Sequence, residues 1–285
     1  MQNRMPSVAL VTWEELRALA PSDRLLAAEL TRLGAAVTPA VWSDPRVGWE
    51  SFDAVVLRST WDYHKHPAEF RAWLDRLDAQ RVRVFNDPAT VRWNMDKHYL
   101  QRMESLGVAT LPTVWIEPGS TTRVTDVLRD RDWPRAVVKP AISASGWQTR
   151  TVKMDDAHVD LALDRALLVQ PFADEVVLEG EWSFVFVDGA LQLSVLKNAK
   201  EGDFRVQSDF GGTAAPALAS ELLAEQAAEA LRRAAPEALY ARVDGINRHG
   251  TFVLMELELI EPELFLTHEP SAATALAKAV LARLD

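Results

Sequence analysis

The sequence predicts a mixed α/β and α+β protein, in which a small parallel α/β domain is followed by two further units. Over residues 1–90, apolar runs of strand length alternate with helical patterns, which is typical of a parallel sheet with crossover helices. A second alternation of this kind follows over 91–172. Residues 173–285 contain a meander and a hairpin with short turns, the pattern of an antiparallel sheet packed with helices.

In the first unit, strands are predicted at 7–12, 35–41, 52–57 and 82–85, and helices at 23–33 and 67–77. Ser22 is the expected N-cap of the first helix, and Pro67 opens the second. Ligands of parallel α/β sheets bind beyond the carboxyl ends of the strands. The polar residues after the third strand are therefore candidate substrate contacts: Arg58, Ser59, Thr60 and Asp62. Helix capping is the alternative for Ser59 and Thr60.

The second unit begins with a predicted helix at 96–106, which Gly107 closes. Strands are predicted at 113–116, 135–139, 148–152 and 167–170, and helical patches at 122–131 and 155–165. In the third unit, strands are predicted at 181–187, 190–196 and 204–207, with a turn at 188–189. A helix over 220–234, a hairpin over 240–260 and a final helix over 271–284 follow, with Ser220 and Ser271 as N-caps.

Three carboxylates mark the predicted C-terminal hairpin. Asp244 lies on its first strand, and Glu256 and Glu258 lie two residues apart on the second, so all three point to one face of the sheet. Anions do not cluster on a buried face unless a cation holds them, and a divalent ion carrying phosphates would do so. The alternative is a solvated acidic face on an edge hairpin.

Lysine is rare in this chain and stands out where it occurs. Only seven of the 31 basic residues are lysine. Lys139 ends the apolar run at 135–140 and precedes a loop of small residues. Such a loop lets backbone N–H groups approach phosphate oxygens, while a compact ammonium supplies the charge. Together with the distant carboxylates, Lys139 indicates a phosphate-binding site.

Composition excludes several classes of function. There is no cysteine, which rules out disulfides, thiolate catalysis and Cys-ligated zinc, and which fits a cytosolic protein. The net charge of −10 and the lack of an evident basic patch argue against a nucleic-acid partner, although a nucleotide remains compatible. No apolar run has the length of a membrane span, and no signal-peptide pattern is evident at the N-terminus.

Several short motifs occur in an order that resembles a known superfamily. They are Asn94 to Lys97, Lys139 with its loop, Val-Gln-Pro-Phe at 169–172, Gly-Glu-Trp-Ser-Phe at 180–184, Lys197, 203–212 with its Gly pair, Arg-x-Asp at 242–244 and Glu-x-Glu at 256–258. This order resembles the ATP-grasp superfamily of carboxylate-amine ligases over about residues 90–285. Residues 57–63, 202–207 and 256–262 resemble a narrower branch, that of the O-ureido-D-serine cyclo-ligase of D-cycloserine biosynthesis.

The resemblance implies a small α/β domain followed by an ATP-grasp fold of two subdomains, with ATP and Mg²⁺ as cofactors. Lys97 and Lys139 would bind the α- and β-phosphates, and Lys197 would reach the γ-phosphate. The loop at 143–146, with Ser143, Ser145 and Gly146, would cover the phosphates. Backbone groups of the hinge formed by Gln170, Pro171 and Phe172 would hydrogen-bond with the adenine, and Glu181 would hold the ribose hydroxyls.

For the metal site, the resemblance implies Asp244, Glu256 and Glu258 as ligands of two Mg²⁺ ions. Glu258 stands where the superfamily usually has Asn, which makes the site more negative. Arg205 and Arg242 would stabilise the transferred phosphoryl group, and Gly211 and Gly212 would donate backbone N–H bonds. An ordinary ion pair with Asp244 is the other reading of Arg242.

The expected activity is an ADP-forming ligase that activates an oxygen of a small amino-acid-like substrate, so that a nitrogen can displace the phosphate. An intramolecular cyclo-ligase is favoured, and an intermolecular peptide-type ligase is the alternative. The alternative outside the enzymes is a non-catalytic, nucleotide-binding regulatory protein. The resemblance also implies a homodimer. Glu261 is read as structural or as a substrate contact, and His64 and His66 as surface or substrate-side residues.

Overall fold

The N-terminal unit is the predicted parallel α/β domain. The computed structural model describes residues 4–156 and 164–284. The first sheet has the order β2-β1-β3-β4 with parallel pairs throughout. Its elements are β1 (Ser7–Thr12), α1 (Pro21–Arg32), β2 (Ala36–Val41), β3 (Ala54–Ser59), α2 (Pro67–Ala79) and β4 (Val84–Phe85).

Both serines predicted to cap the first and last helices are displaced by a proline. Helix α1 begins at Pro21, and α8 (Pro270–Ala282) begins at Pro270, each one residue before the serine. Proline suits the first helical position because its φ is already helical and its missing N–H would have no partner there. Ser22 and Ser271 therefore lie inside the first turn, and Ser271 donates to Glu269 Oε1 at 2.5 Å instead.

The central unit contains an antiparallel sheet of order β5-β8-β6-β7, where the alternation of elements predicted an α/β unit. Its elements are α3 (Pro88–Asn94), α4 (Tyr99–Ser105), β5 (Val114–Ile116), α5 (Val124–Asp130), β6 (Arg135–Pro140), β7 (Arg150–Lys153) and β8 (Leu167–Pro171). Helix α3 was not predicted. Most of the helical patch predicted at 155–165 lies outside the described residues.

The C-terminal unit is an antiparallel sheet of order β11-β10-β9-β12-β13. Its elements are α6 (Glu175–Leu178), β9 (Glu181–Val187), β10 (Ala190–Asn198), β11 (Thr213–Pro216), α7 (Glu221–Ala234), β12 (Tyr240–Arg248), β13 (Thr251–Glu258) and α8. Ser220 caps α7 as expected, its hydroxyl accepting from the backbone N–H of Leu223.

The strand predicted at 204–207 is wrong. The third strand of the meander is β11, and 204–207 belongs to an irregular loop. The carboxylate of Asp203 accepts hydrogen bonds from the backbone N–H groups of Phe204 and Arg205, at 2.7 and 3.0 Å. Such a local side-chain bond offers the backbone an alternative to strand pairing.

The N-terminal and C-terminal units share one hydrophobic core. A single cluster combines Val8 and Leu10 of β1 with Val185 and Val187 of β9 and with Leu276 of α8. Asn86, directly after β4, donates to the carbonyls of Tyr240 and Leu259 at 3.0 and 2.8 Å. The first 90 residues therefore pack as part of the whole molecule. Among the described residues, no helix has both the length and the hydropathy needed to cross a membrane.

Candidate active site

A cleft of about 340 Å³ opens where the three units meet. The central unit contributes the end of β6, the loop after it and the end of β8, while the C-terminal unit contributes one face of β9, β10, β12 and β13. Its charged lining residues are Lys97, Lys139, Glu181, Lys197, Arg205, Asp209, Arg242, Asp244, Glu256, Glu258, Glu261 and Glu263. A site this rich in buried charge requires close pairing of opposite signs.

Glu256 holds the two lysines of the central unit. Its carboxylate lies 2.8 Å from Lys139 Nζ and 3.6 Å from Lys97 Nζ, and both lysines are more than 90% buried. Lys97 also donates to the carbonyl of Ser143 at 2.6 Å. Burial disfavours the charged carboxylate, but the ammonium groups of Lys139 and Lys97 hold the pKa of Glu256 well below its ordinary value.

Asp244 lies at the centre of a second charge cluster. It is 2% exposed and contacts Lys197 at 2.9 Å, Arg242 at 2.9 Å and the hydroxyl of Ser183 at 2.7 Å. Lys197 also contacts Glu181 at 2.6 Å. Although burial opposes ionisation, Arg242 and Lys197 lower the pKa of Asp244. Asp244 therefore stays ionised.

The acidic side of the cleft is less well neutralised. Glu258 is opposite Arg242 in the hairpin register and forms an ion pair with it. Burial, helped by the charges of Asp244 and Glu256, nevertheless raises the pKa of Glu258 to about 7. Burial and the charge of Glu258 raise the pKa of Glu261 to about 8. Both carboxyl groups would gain from an additional cation.

The three predicted metal ligands lie on one face of β12 and β13, as the alternation indicated. Within the described ranges, no three His, Cys, Asp or Glu side chains are grouped closely enough to hold a metal by themselves. Mg²⁺ is usually bound by one or two carboxylates together with substrate phosphates and water, and it prefers oxygen ligands. The carboxylates of Asp244, Glu256 and Glu258 fit such a shared site.

The loop at 143–146 faces a second loop across the cleft mouth. Ser143, Ala144, Ser145 and Gly146 line the cleft, and Ser145 and Gly146 have φ angles of +52° and +67°. A Cβ on Gly146 would lie 3.1 Å from the ring of Phe210 in the opposite loop. The small residues thus allow the two loops to meet over the cleft.

Arg205 lies in that opposite loop and lines the cleft. It pairs with Asp203 at 2.8 Å and stacks over the ring of Phe210 at 3.5 Å. Gly211 and Gly212 do not line the cleft. A Cβ on Gly212 would lie 2.2 Å from the carbonyl oxygen of Val206, so this glycine permits a close backbone approach within the loop.

Gln170, Pro171 and Phe172 line the cleft at the end of β8. The backbone N–H of Phe172 donates to the carbonyl of Arg135 at 3.0 Å. This N–H is therefore already engaged within the protein. Glu181 and Lys197 also line the cleft, from the paired strands β9 and β10 of the C-terminal unit.

The four predicted substrate contacts at the end of β3 and directly after it do not line the cleft. Arg58 is 1% exposed and forms a buried ion pair with Asp23 at 2.9 Å. Ser59 donates to Thr12 Oγ1, and Asp62 accepts from Trp42 Nε1 at 2.7 Å. Thr60 is fully buried. Arg58, Ser59 and Thr60 are turned into the core, whereas Asp62 is half-buried, and neither Ser59 nor Thr60 caps a helix.

From the same segment, the structure instead brings Trp61 and Tyr63 into the cleft, together with Glu261, Glu263 and Phe265. The sequence indicates a structural role or a substrate contact for Glu261, and it gives no role to Trp61, Tyr63, Glu263 or Phe265. The available signal was the continuation of the acidic residues of β13 at Glu261 and Glu263, on either side of Pro262. His64, expected to be a surface or substrate-side residue, is 5% exposed and does not line the cleft, and burial lowers its pKa to about 4.

Comparisons with known proteins agree with this geometry. The family described as "D-cycloserine synthetase DcsG, N-terminal domain" matches residues 8–86. The chain is 31% identical over 264 residues to the cycloserine biosynthesis protein DcsG of Streptomyces lavendulae, over 85% of this chain and 87% of that protein.

Two solved structures extend the likeness to the fold. The crystal structure of D-cycloserine synthetase DcsG superposes with a TM-score of 0.89 at 28% identity, covering 98% of this chain and 100% of that chain. The ATP-grasp ligase PsnB, in complex with minimal precursor, Mg and ADP, superposes with a TM-score of 0.67 at 15% identity and covers 100% of both chains. At that identity the second match shows the fold alone.

Proposed function

This chain belongs to the DcsG family of ATP-grasp ligases, and we propose that it uses ATP and Mg²⁺ to close a ring within a small amino-acid-like substrate of the O-ureido-serine type. The observation that carries this proposal is the paired charge in the cleft. Lys97, Lys139 and Lys197 are each held within 4 Å of a carboxylate. Such pairs can exchange partners when a metal-bound triphosphate enters.

In this exchange, each charged side chain would keep a partner of opposite charge. Phosphate oxygens would take Lys97 and Lys139 from Glu256, and the freed carboxylate would become available to a cation. Glu256, Glu258 and Asp244 are the residues that would hold Mg²⁺, which when bound neutralises phosphate charge and orients the phosphoryl group. The loop with Ser143, Ser145 and Gly146 would supply backbone donors to the phosphates.

The remaining nucleotide contacts follow from the lining. Lys197 would reach the terminal phosphate, and Glu181, on the neighbouring strand, would accept from the ribose hydroxyls. Gln170, Pro171 and Phe172 would border the adenine through carbonyl groups and side chains, with Phe172 already stacked under Arg135 at 3.3 Å. These assignments are proposals that rest on proximity within one cleft.

The reaction would proceed by phosphoryl activation. A carboxylate oxygen of the substrate forms a bond to the γ-phosphorus of ATP, and the bond from that phosphorus to the β–γ bridging oxygen breaks, which releases ADP. A nitrogen of the same substrate then attacks the acyl carbon, loses a proton, and expels inorganic phosphate. Burial alone would lower the pKa of Arg242, but the charges of Asp244 and Glu258 raise it, so Arg242 remains cationic. Arg242 would stabilise the developing negative charge together with Arg205.

Ring closure is favoured over intermolecular ligation because the relatives that this chain resembles along most of its length are named for the synthesis of cycloserine, a cyclic product. The retained cations and carboxylates argue against a non-catalytic nucleotide-binding role. The homodimer and the cytosolic location stay predictions of the sequence.

The test is to incubate the purified protein with ATP, Mg²⁺ and O-ureido-D-serine, and to measure ADP by a coupled assay and the product by mass spectrometry. We expect equimolar ADP and a ring-closed product, and no ADP without Mg²⁺. A product that joins two added amino-acid derivatives would support intermolecular ligation. Tight ATP binding without ADP formation across a broad panel of amino-acid derivatives would support the non-catalytic alternative.

A further inference from the structure

The segment directly after β13 is held by an unbroken series of side-chain hydrogen bonds. Each of the five carbonyl groups from 259 to 263 accepts from a side chain of another element. The donors are Asn86 to Leu259 at 2.8 Å, Tyr240 to Ile260 at 2.9 Å, Trp61 to Glu261 at 3.0 Å, Arg58 to Pro262 at 2.7 Å and Arg242 to Glu263 at 3.1 Å. This arrangement fixes the backbone rigidly at the edge of the cleft, as a preformed binding site requires.

Glu261 is an acidic residue of this segment without a partner of opposite charge. Its neighbour Glu263 also has no basic side chain within 4 Å in the described ranges, but its carboxylate accepts from the hydroxyl of Ser22 and from the backbone N–H of Phe265. In the part of the chain that the structure describes, no basic side chain lies within 4 Å of the Glu261 carboxylate. Lys97 and Arg242 act on it only from a greater distance, and each is paired with another acid.

The surroundings of Glu261 suit an organic cation. Trp61 and Tyr63 line the cleft beside it, and burial together with the charge of Glu261 raises the pKa of Tyr63 well above its ordinary value. Aromatic faces attract ammonium groups, and a partly buried carboxylate without a counter-ion adds to that attraction. The raised pKa of Glu261 is what a missing counter-ion would produce.

We propose that Glu261 binds the primary ammonium group of the substrate, with Trp61 and Tyr63 forming the walls of that subsite. This inference rests on the proposed function, because it takes the substrate to be a small amino acid derivative. It divides the cleft by charge. Anionic groups of ATP and substrate face Lys97, Lys139, Lys197 and Arg242, and the ammonium faces Glu261. The residue therefore selects amino acids over the corresponding carboxylic acids and orients the reacting chain.

The test compares two compounds that differ in the ammonium alone, O-ureido-D-serine and 3-(ureidooxy)propanoate. Binding of each is measured by calorimetry to the full chain in the presence of Mg²⁺ and a non-hydrolysable ATP analogue. We expect the wild type to bind the ammonium compound at least tenfold more tightly, and Glu261→Gln to reduce this preference to less than twofold. Glu237→Gln, an exposed glutamate of the same unit, is the matched control and should keep the full preference.

The inference is overturned if the wild type binds both compounds equally or binds neither, or if Glu261→Gln retains the preference. It is also overturned if Glu261→Gln changes the Mg²⁺ requirement for binding of the ATP analogue while the preference stays, since Glu261 would then serve the metal. ADP formation is measured in parallel with the same proteins and compounds, with ATP in place of the analogue. If the preference depends on Glu261 but no ADP forms, the proposed reaction is refuted and the ammonium subsite is supported. If ADP forms but both compounds bind equally, the ammonium subsite is refuted and the proposed reaction is supported.

Discussion

At the scale of single residues, the site is prepared by ion pairs that the bound nucleotide would replace. Lys139 lies 2.8 Å from Glu256, and both side chains are largely removed from water. Neither charge could stay buried alone, because an unpaired buried ion costs several kcal/mol. The same pairing that stabilises the unliganded protein therefore keeps a phosphate-binding lysine in place.

Replacing Lys139 by alanine should abolish measurable ATP binding, with at least a hundredfold increase in the dissociation constant, because the ammonium faces the proposed phosphate site. Calorimetry with ATP and Mg²⁺ provides the measurement. Lys153→Ala is the matched control, since Lys153 is exposed on β7 of the same sheet. Unchanged affinity in Lys139→Ala would place the nucleotide elsewhere.

The buried pair of Arg58 and Asp23 should be important for stability. Arg58→Met would leave Asp23, which is 2% exposed, without its counter-ion, and would remove the donor to the Pro262 carbonyl. The expected loss is about 3–5 kcal/mol in the free energy of unfolding by urea. Arg92→Met removes the pairs of Arg92 with Asp75 and Asp78, in which both aspartates are at least half exposed, and should cost less than about 1 kcal/mol. Equal losses in the two variants would contradict this account.

At the scale of elements, the irregular loop between β10 and β11 shapes the cleft in a way that a regular strand could not. It carries Arg205 and Gln207 into the lining, and Phe210 meets Gly146 at the mouth. Its shape depends on Asp203 bonding to the following backbone and on the close approach of Gly212 to Val206. A regular strand at 204–207 would extend in one direction and could not fold back in this way.

Gly212→Ala tests this shape. The new Cβ would lie 2.2 Å from the carbonyl oxygen of Val206, so the backbone that presents Arg205 must move. We expect ADP formation with O-ureido-D-serine to fall at least tenfold, with a loss of about 1–3 kcal/mol in stability. At Gly48 the nearest atom to a new Cβ is a Glu50 side-chain oxygen at 3.8 Å, so Gly48→Ala should change neither quantity. Full activity in Gly212→Ala would show that the loop shape is not required.

At the scale of the whole molecule, the protein is acidic overall but has a cleft that is lined by many cationic side chains. The net charge is −10, yet Lys97, Lys139, Lys197, Arg205 and Arg242 all line one cavity. The surplus of acid that remains there, at Glu258 and Glu261, makes stability depend on pH.

Glu261 gives the sign of that dependence. Its pKa in the folded protein is raised to about 8 from the ordinary value of 4.5, so the folded state binds the proton more tightly than the unfolded state. The stabilisation is present below pH 4.5 and is lost as the pH rises towards 8. Between pH 5 and 8, the free energy of unfolding of the unliganded wild type should fall by up to about 3 kcal/mol relative to Glu261→Gln. Urea titrations of both proteins at several pH values measure this, and a constant difference would refute it.

The sequence by itself determined most of the elements and which residue types carry the chemistry. Hydrophobic periodicity predicted β1, α2, β9, α7 and the hairpin of β12 and β13. Burial of one face of each element imposes a regular spacing of apolar residues, and no local feature interrupts that spacing there. Periodicity also put Asp244, Glu256 and Glu258 on one face. It failed where a local feature outweighed the period, namely the prolines that begin α1 and α8 and the side chain of Asp203.

Only the tertiary structure decided which of these residues meet. Arg58 and Trp61 lie three residues apart at one strand end, yet Arg58 turns into the core and Trp61 lines the cleft. Lys139 and Glu256 are 117 residues apart in sequence and 2.8 Å apart in space. The orientation of a side chain beyond a strand end, and contacts across such separations, depend on how whole units pack, and a local pattern carries no information about that packing.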